Sequence, residues 1–218
     1  MDINVLKAAM HHSPEINASI FNTMRILKGV NRGDTYLENY KWHWDKRGDT
    51  FLDYYHLLWT IGSVYNPKRI MEIGCRTGIS LCQLLSACPD YKDKEVVLFD
   101  IFNDGMLSEG LVNRNLKHLN IPVVPEFRIG DSKVTVPACA KMFSYILIDG
   151  NHEKTGAMTD LVNIVPLVEP GGVILFDDLT EDGASLDDVW QNFKQRFDGM
   201  FDFTEDYNGK GFGLGVRR

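Results

Sequence analysis

Nothing in this chain marks it for a membrane, an oxidising compartment or a nucleic acid. Its 218 residues contain no apolar run that approaches bilayer-spanning length. The first residues lack the charged-then-apolar pattern of a secretion signal, so a cytoplasmic location is expected. Only four cysteines occur (Cys75, Cys82, Cys88 and Cys139), none at metal-type spacing, and they read as reduced, buried thiols. Without a secretion signal, Asn17-Ala-Ser19 spells a glycosylation acceptor and no more. Basic runs are missing too. With 23 Lys and Arg against 30 Asp and Glu, the net charge of −7 repels a nucleic-acid backbone and favours a small partner. What remains is ordinary: 44% hydrophobic and 24% charged residues suit a soluble globular fold with one well-buried α/β domain.

The dinucleotide fingerprint G-x-G-x-x-G is also absent, yet a relative of it organises the chain. In Arg69-Ile-Met-Glu-Ile-Gly-Cys-Arg-Thr-Gly-Ile-Ser-Leu81, an apolar run ends in an acid, two glycines bracket a turn, and an amphipathic segment follows. That pattern predicts a buried strand, a tight turn and a helix start, where backbone N–H groups approach a nucleotide-like ligand. Gly74 and Gly78 suit such a turn because a Cβ would block the approach. Arg76 stands where a second close glycine would be. A structural strand–turn–helix without a ligand is the plainer alternative.

Ahead of this stretch, residues 1–67 read as a helical N-terminal extension, set apart from a main domain over 68–218. Ser13-Pro14 forms an N-cap and first-turn pair and Gly29 a stop, predicting a helix over about 14–28. A local repeat follows, Arg32-Gly-Asp-Thr-Tyr-Leu-Glu-Asn-Tyr40 and Arg47-Gly-Asp-Thr-Phe-Leu-Asp-Tyr-Tyr55. Thr35 with Glu38 and Thr50 with Asp53 have capping-box spacing, so each copy is expected to start a helix, the second over about 50–65. The aromatic cluster Tyr40-Lys-Trp-His-Trp44 between them suits either a core or the wall of an acceptor pocket. The extension itself suits a lid, an acceptor pocket or a dimer arm.

From Arg69 onward, strands are expected at 69–74, 95–101, 124–129, 144–149 and 172–177. Helices fall near 78–88, 106–119 and 154–167, with a short turn after 132 and a further helix started by Ser185 and Asp188. Phe201–Tyr207 and Gly211–Val216 flank Asn208-Gly209 as a hairpin. The fold class is therefore α/β: a doubly wound, mostly parallel, Rossmann-like sheet with a C-terminal antiparallel hairpin.

Ligands of such sheets bind beyond the carboxyl ends of the strands. Every predicted strand end here carries an acid. Glu72 precedes the glycine turn, and Asp100 follows about twenty residues later, placed to grip ribose hydroxyls. Asp131 or Ser132 can meet an adenine edge. Asp149, Asp177 and Asp178 converge if their strands are neighbours, and three close carboxylates repel unless protonated or bridged by a cation. Oxygen ligands suit Mg²⁺, Mn²⁺ or Ca²⁺, although helix capping explains the same acids without a metal. His152, three residues past Asp149, is a candidate general base.

These residues resemble class I S-adenosylmethionine-dependent methyltransferases over 69–216. Glu72-Ile-Gly-Cys-Arg-Thr-Gly78 is similar to their first motif, and Asp100 to their ribose-binding acid. Ile148-Asp-Gly-Asn-His152 with Leu167-Val-Glu-Pro-Gly-Gly-Val-Ile-Leu-Phe-Asp-Asp178 resembles the subgroup of macrocin-type and mycinamicin sugar O-methyltransferases and cephalosporin-hydroxylase-like proteins. Catechol O-methyltransferase is a more distant relative. The resemblance implies a cofactor site formed by Glu72, Gly74, Cys75, Arg76, Gly78, Ser80, Asp100, Asp131, Ser132 and Asp149. It implies a divalent metal, Mg²⁺ first, on Asp149, Asp177 and Asp178, with His152 as the base. The implied reaction moves a methyl group from S-adenosylmethionine to a small hydroxylated acceptor, a sugar or natural product before a catechol-like phenol. A homodimer is compatible with it. A nicotinamide-dependent oxidoreductase and a non-catalytic cofactor-binding protein are the rival classes; the missing fingerprint counts against the first, and His152 beside three acids against the second.

Overall fold

A computed structural model describes residues 2–4, 13–30, 50–102 and 109–218, with side chains from residue 53 onward in the second long helix. The first copy of the repeat, the Tyr40–Trp44 cluster and the predicted helix start at 106–108 lie outside the described residues.

Helix α1 (Pro14–Val30) begins as its cap predicts, with the Ile16 N–H donating to Ser13 Oγ at 3.1 Å. Its end differs from expectation. Gly29 keeps a helical backbone and the helix runs through it to Val30, because a glycine stops a helix only when it turns left-handed. Helix α2 (Thr50–Thr60) passes into a wider π turn at Ile61–Tyr65.

The sheet is built from β1 (Arg69–Ile73), β2 (Glu95–Asp100), β3 (Glu126–Ile129), β4 (Phe143–Ile148), β5 (Val168–Asp177), β6 (Phe201–Asp206) and β7 (Phe212–Arg217). Between them run α3 (Ile79–Ala87), α4 (Glu109–His118), α5 (Ser132–Thr135), α6 (Lys154–Ile164) and α7 (Asp187–Phe197). The strand order is β3-β2-β1-β4-β5-β7-β6, with the first five parallel and the hairpin antiparallel at one edge. The order reverses between β1 and β4, where a doubly wound sheet opens a crevice at the strand ends.

Alternation along the strands sorts the core into two layers. Ile70, Leu98, Tyr145, Leu147, Val173 and Leu175 face α1, α2 and α3, meeting Ile20, Met24, Leu27, Leu58, Leu81 and Leu84. The described part of the N-terminal extension thus shares its core with the sheet. Met71, Val97, Ile146, Ile174 and Phe176 face the other way, onto Leu161, Trp190 and Phe193. Burial on both faces is why these strands read as continuous apolar runs.

Three boundaries differ from the sequence reading. The third strand starts at Glu126, after Pro125, which has no N–H for a ladder. The fifth starts early, at Val168, and bulges over Pro170-Gly-Gly172 before pairing resumes at Val173. Ser185 does not cap the last helix; it sits at φ 56, and α7 starts at Asp187 without a side-chain cap. Among the described residues, no helix is long and apolar enough to cross a membrane.

Candidate active site

The turn after β1 is shaped by a close crossing. Gly74 has φ +83, and a Cβ there would lie 1.9 Å from the Asp149 carbonyl oxygen, so only glycine lets the ends of β1 and β4 touch. Arg76 takes a left-handed φ of 47, and its N–H donates to Asp100 Oδ2 at 2.7 Å. The Phe102 N–H donates to Asp100 Oδ1 at 2.8 Å. Asp100 therefore clamps the glycine turn to the end of β2, and each of its oxygens retains a lone pair for a ligand hydroxyl. Ile101, directly after it, is apolar and 55% exposed.

Glu72 is buried beneath this turn and accepts a short hydrogen bond from Ser80 Oγ. Burial pushes its carboxyl up to about 8, helped by the charges of Asp149 and Asp100 and opposed by the Ser80 bond. Cys75 turns its side chain into the core and leaves only backbone to the turn; burial raises its thiol, which stays protonated. Beyond β3, Asp131 caps α5, accepting the Lys133 N–H at 2.9 Å, with Ser132 half-buried beside it.

On the other side of β1, the ends of β4 and β5 bring acids and a base together. His152 Nε2 lies 3.4 Å from Asp149 Oδ1 and 3.2 Å from Asp178 Oδ2. The hydrogen bond to Asp149 and the charges of Asp178 and Asp149 raise its pKa, against a smaller opposing effect of burial. Ligand atoms of Asp149, His152 and Asp178 all fall within 4.8 Å of one another, a spacing one cation spans. Asp178 reaches this point through a left-handed backbone, φ 67, and Gly183 lets the following loop close over it: a Cβ there would lie 2.6 Å from Asp178 Oδ1.

Asp177 takes a different place from the metal set predicted for it. Its Oδ1 accepts the Asp178 N–H at 2.9 Å, and its Oδ2 pairs with Lys210 Nζ at 2.9 Å. Lys210 also pairs with Asp178 Oδ1 at 2.6 Å. Burial works against the ammonium, but Asp177, Asp149 and Asp178 outweigh it and hold Lys210 charged, above the ordinary lysine value. The donor set left for a cation is two carboxylates and an imidazole, in place of three carboxylates. Such a set still fits a divalent ion. With the imidazole as a ligand the preference moves from Mg²⁺ toward Mn²⁺ or a softer metal, and with the two carboxylates alone it stays with Mg²⁺, Mn²⁺ or Ca²⁺.

Lys210 was not legible as a site residue. It sits in the hairpin turn, and only the antiparallel pairing of Asp177 with Phe212 carries it to the end of β5. Ile101 carried a signal, since it adjoins the ribose-type acid.

Residues 71–179, half of the chain, match the sequence profile of a family described as a methyltransferase domain. Curated protein sequences yield no match. Solved structures do. The O-methyltransferase TomG from Streptomyces achromogenes, involved in tomaymycin synthesis and solved with SAM, superposes with a TM-score of 0.63 at 17% identity, over 88% of this chain and 89% of that one. An O-methyltransferase from Bacillus cereus, in complex with SAH, gives a TM-score of 0.62 at 17% identity, over 92% and 91%. The N-methyltransferase NodS from Bradyrhizobium japonicum, with S-adenosylhomocysteine, gives 0.55 at 15%, over 90% and 98%. At these identities the likeness is one of fold, and the fold serves both oxygen and nitrogen acceptors.

Proposed function

The chain belongs to the methyltransferase domain family, and from that premise we propose an S-adenosylmethionine-dependent O-methyltransferase acting on a small hydroxylated acceptor. One observation carries this reading: recognition groups run in order along the strand ends, from Asp131 and Ser132 past Asp100 and the glycine turn to Asp149, His152 and Asp178. That order matches base, ribose and reacting centre of one extended ligand. Asp100 accepts the ribose hydroxyls, Ile101 offers apolar surface to the base, and Gly74 keeps the floor of the crevice free of a Cβ. His152 takes the proton of the acceptor hydroxyl as the methyl group transfers. Its side chain is more than half exposed, so an acceptor can approach it.

A divalent cation held by Asp149 and Asp178 would lower the pKa of the acceptor hydroxyl and fix its direction. His152 Nε2, the nitrogen that faces the two acids, cannot both ligate a cation and take a proton, so His152 is assigned to the proton and the cation to the two carboxylates. Lys210 favours a second reading in which its ammonium, already seated on Asp177 and Asp178, supplies the positive charge and transfer runs without a metal. The acidic row and Asp-x-x-His spacing support a sugar or natural-product acceptor, in the manner of the macrocin and mycinamicin subgroup.

The test is a calorimetric titration of S-adenosylhomocysteine into wild type and Asp100→Ala, with and without Mg²⁺ or Mn²⁺. Micromolar binding abolished by Asp100→Ala is expected. Absence of binding to wild type in every condition would overturn the donor assignment. A metal isotherm lost in Asp178→Asn supports the cation reading; full turnover in excess chelator supports the lysine one.

A further inference from the structure

The face of the sheet covered by α2 carries more polar groups toward its carboxyl end than a core needs. Glu72 pairs with Leu147 and Leu147 with Leu175, so these three lie in one row across β1, β4 and β5. Asp149 and Asp177 follow two residues after Leu147 and Leu175 and continue the same face. Tyr145, two residues before Leu147, also projects there. Glu72 and Asp177 are buried, Asp149 partly so. The helix laid over this face contributes Tyr54. Its ring packs against the apolar cluster and edge-on to Tyr55, at 5.5 Å between centroids. Its hydroxyl is buried and has no hydrogen-bond partner among the described residues.

A buried O–H without an acceptor costs free energy in the free protein, and a ligand that supplies the acceptor recovers it. The place of the hydroxyl identifies that ligand group. Asp100 ends β2 and the Asp131–Ser132 pair follows β3, both on one side of β1. A donor with its ribose on Asp100 and its base toward β3 must send its opposite end toward β1, β4 and β5, beneath α2. That end is an amino acid. Its ammonium suits the carboxylates of Asp149 and Asp177, and its carboxylate needs an unspent donor; Lys210 is already held by Asp177 and Asp178.

We infer that the Tyr54 hydroxyl donates to the carboxylate of the methyl donor, so that the N-terminal extension completes the cofactor site as a positioning element. The inference rests on the donor reading above. Burial and the nearby charges of Asp177 and Asp149 raise the phenol well above its ordinary value, which keeps it a donor at working pH.

Calorimetry separates this role from a structural one. Wild type and Tyr54→Phe are titrated with S-adenosylhomocysteine and with 5′-methylthioadenosine, which keeps the adenosine and lacks the amino-acid end. Tyr54→Phe is expected to weaken S-adenosylhomocysteine about tenfold or more, leaving methylthioadenosine unchanged. The ligand-free variant should melt no lower than wild type, since an unpartnered buried hydroxyl has been removed. Unchanged S-adenosylhomocysteine affinity would overturn the inference and assign the hydroxyl to a buried water. Equal weakening of both ligands would overturn it as well, marking a general disturbance of the helix. If wild type binds neither ligand, the donor reading itself fails.

Discussion

His152 is held between two acids, Asp149 and Asp178. Their charges and the Asp149 hydrogen bond stabilise its protonated form, so the ring becomes a free base only above the ordinary histidine pKa. Under the proposed function, activity rises with pH along a limb set above that value. Asp178→Asn removes one of the charges, and its limb should move down toward the ordinary value in a pH profile of kcat/KM. His152→Ala should lower kcat by roughly 10²–10⁴-fold with little change in S-adenosylhomocysteine affinity. A variant retaining full kcat would remove His152 from the chemistry. At this scale the sequence was informative about residue type and poor about partners. The sequence named His152 a candidate base three residues past Asp149, but spacing alone did not give its contacts with Asp149 and Asp178. It did not predict that Asp177 would turn away to Lys210, since that depends on a residue 33 positions later.

Two glycines show how an element decides what one side chain costs. Gly74 ends β1 at φ +83 with the Asp149 carbonyl beneath it. Gly74→Ala adds both backbone strain and a clash, and a loss on the order of 1–3 kcal/mol is expected in urea unfolding. Because the clash falls on Asp149, donor binding should weaken in the same variant. Gly29 lies inside α1, where a Cβ would meet nothing within 4 Å. Gly29→Ala should raise stability by roughly 0.5–1 kcal/mol and leave binding untouched. Opposite signs from one substitution would confirm that the first glycine serves the crossing of strands and the second serves nothing local. Sequence reading treated both as chain punctuation. It succeeded at residue 74, where the Asp149 backbone leaves no room for a Cβ, and failed at 29, where the helix simply continues.

For the molecule as a whole, the buried Glu72 links stability to pH. Its folded-state pKa of about 8 lies above the value of an exposed glutamate. The folded protein therefore holds a proton that the unfolded chain has released between roughly pH 4.5 and 8. The sign follows: this contribution is fully present below the unfolded pKa and is lost as pH rises through about 8. Glu72→Gln keeps the shape without the charge, so its thermal midpoint should exceed that of wild type near pH 8 and converge with it near pH 4. A pH-independent difference between the two proteins would show that Glu72 is not the linked group.

The sequence by itself determined the order of strands and helices along the chain, the glycine turn, the terminal hairpin and an acid at the end of each parallel strand. Each is written in local signals: period, turn residues and caps act over a few neighbours. Tertiary structure alone decided which acids meet. The β3-β2-β1-β4-β5-β7-β6 order sets Asp149 beside Asp178, and the register of β7 on β5 delivers Lys210. It also laid α2 over the carboxylate face, bringing Tyr54 from an extension that the sequence offered as a lid, an acceptor pocket or a dimer arm. Strand order and register are settled by burial across the whole sheet, a property that no short stretch of the chain contains.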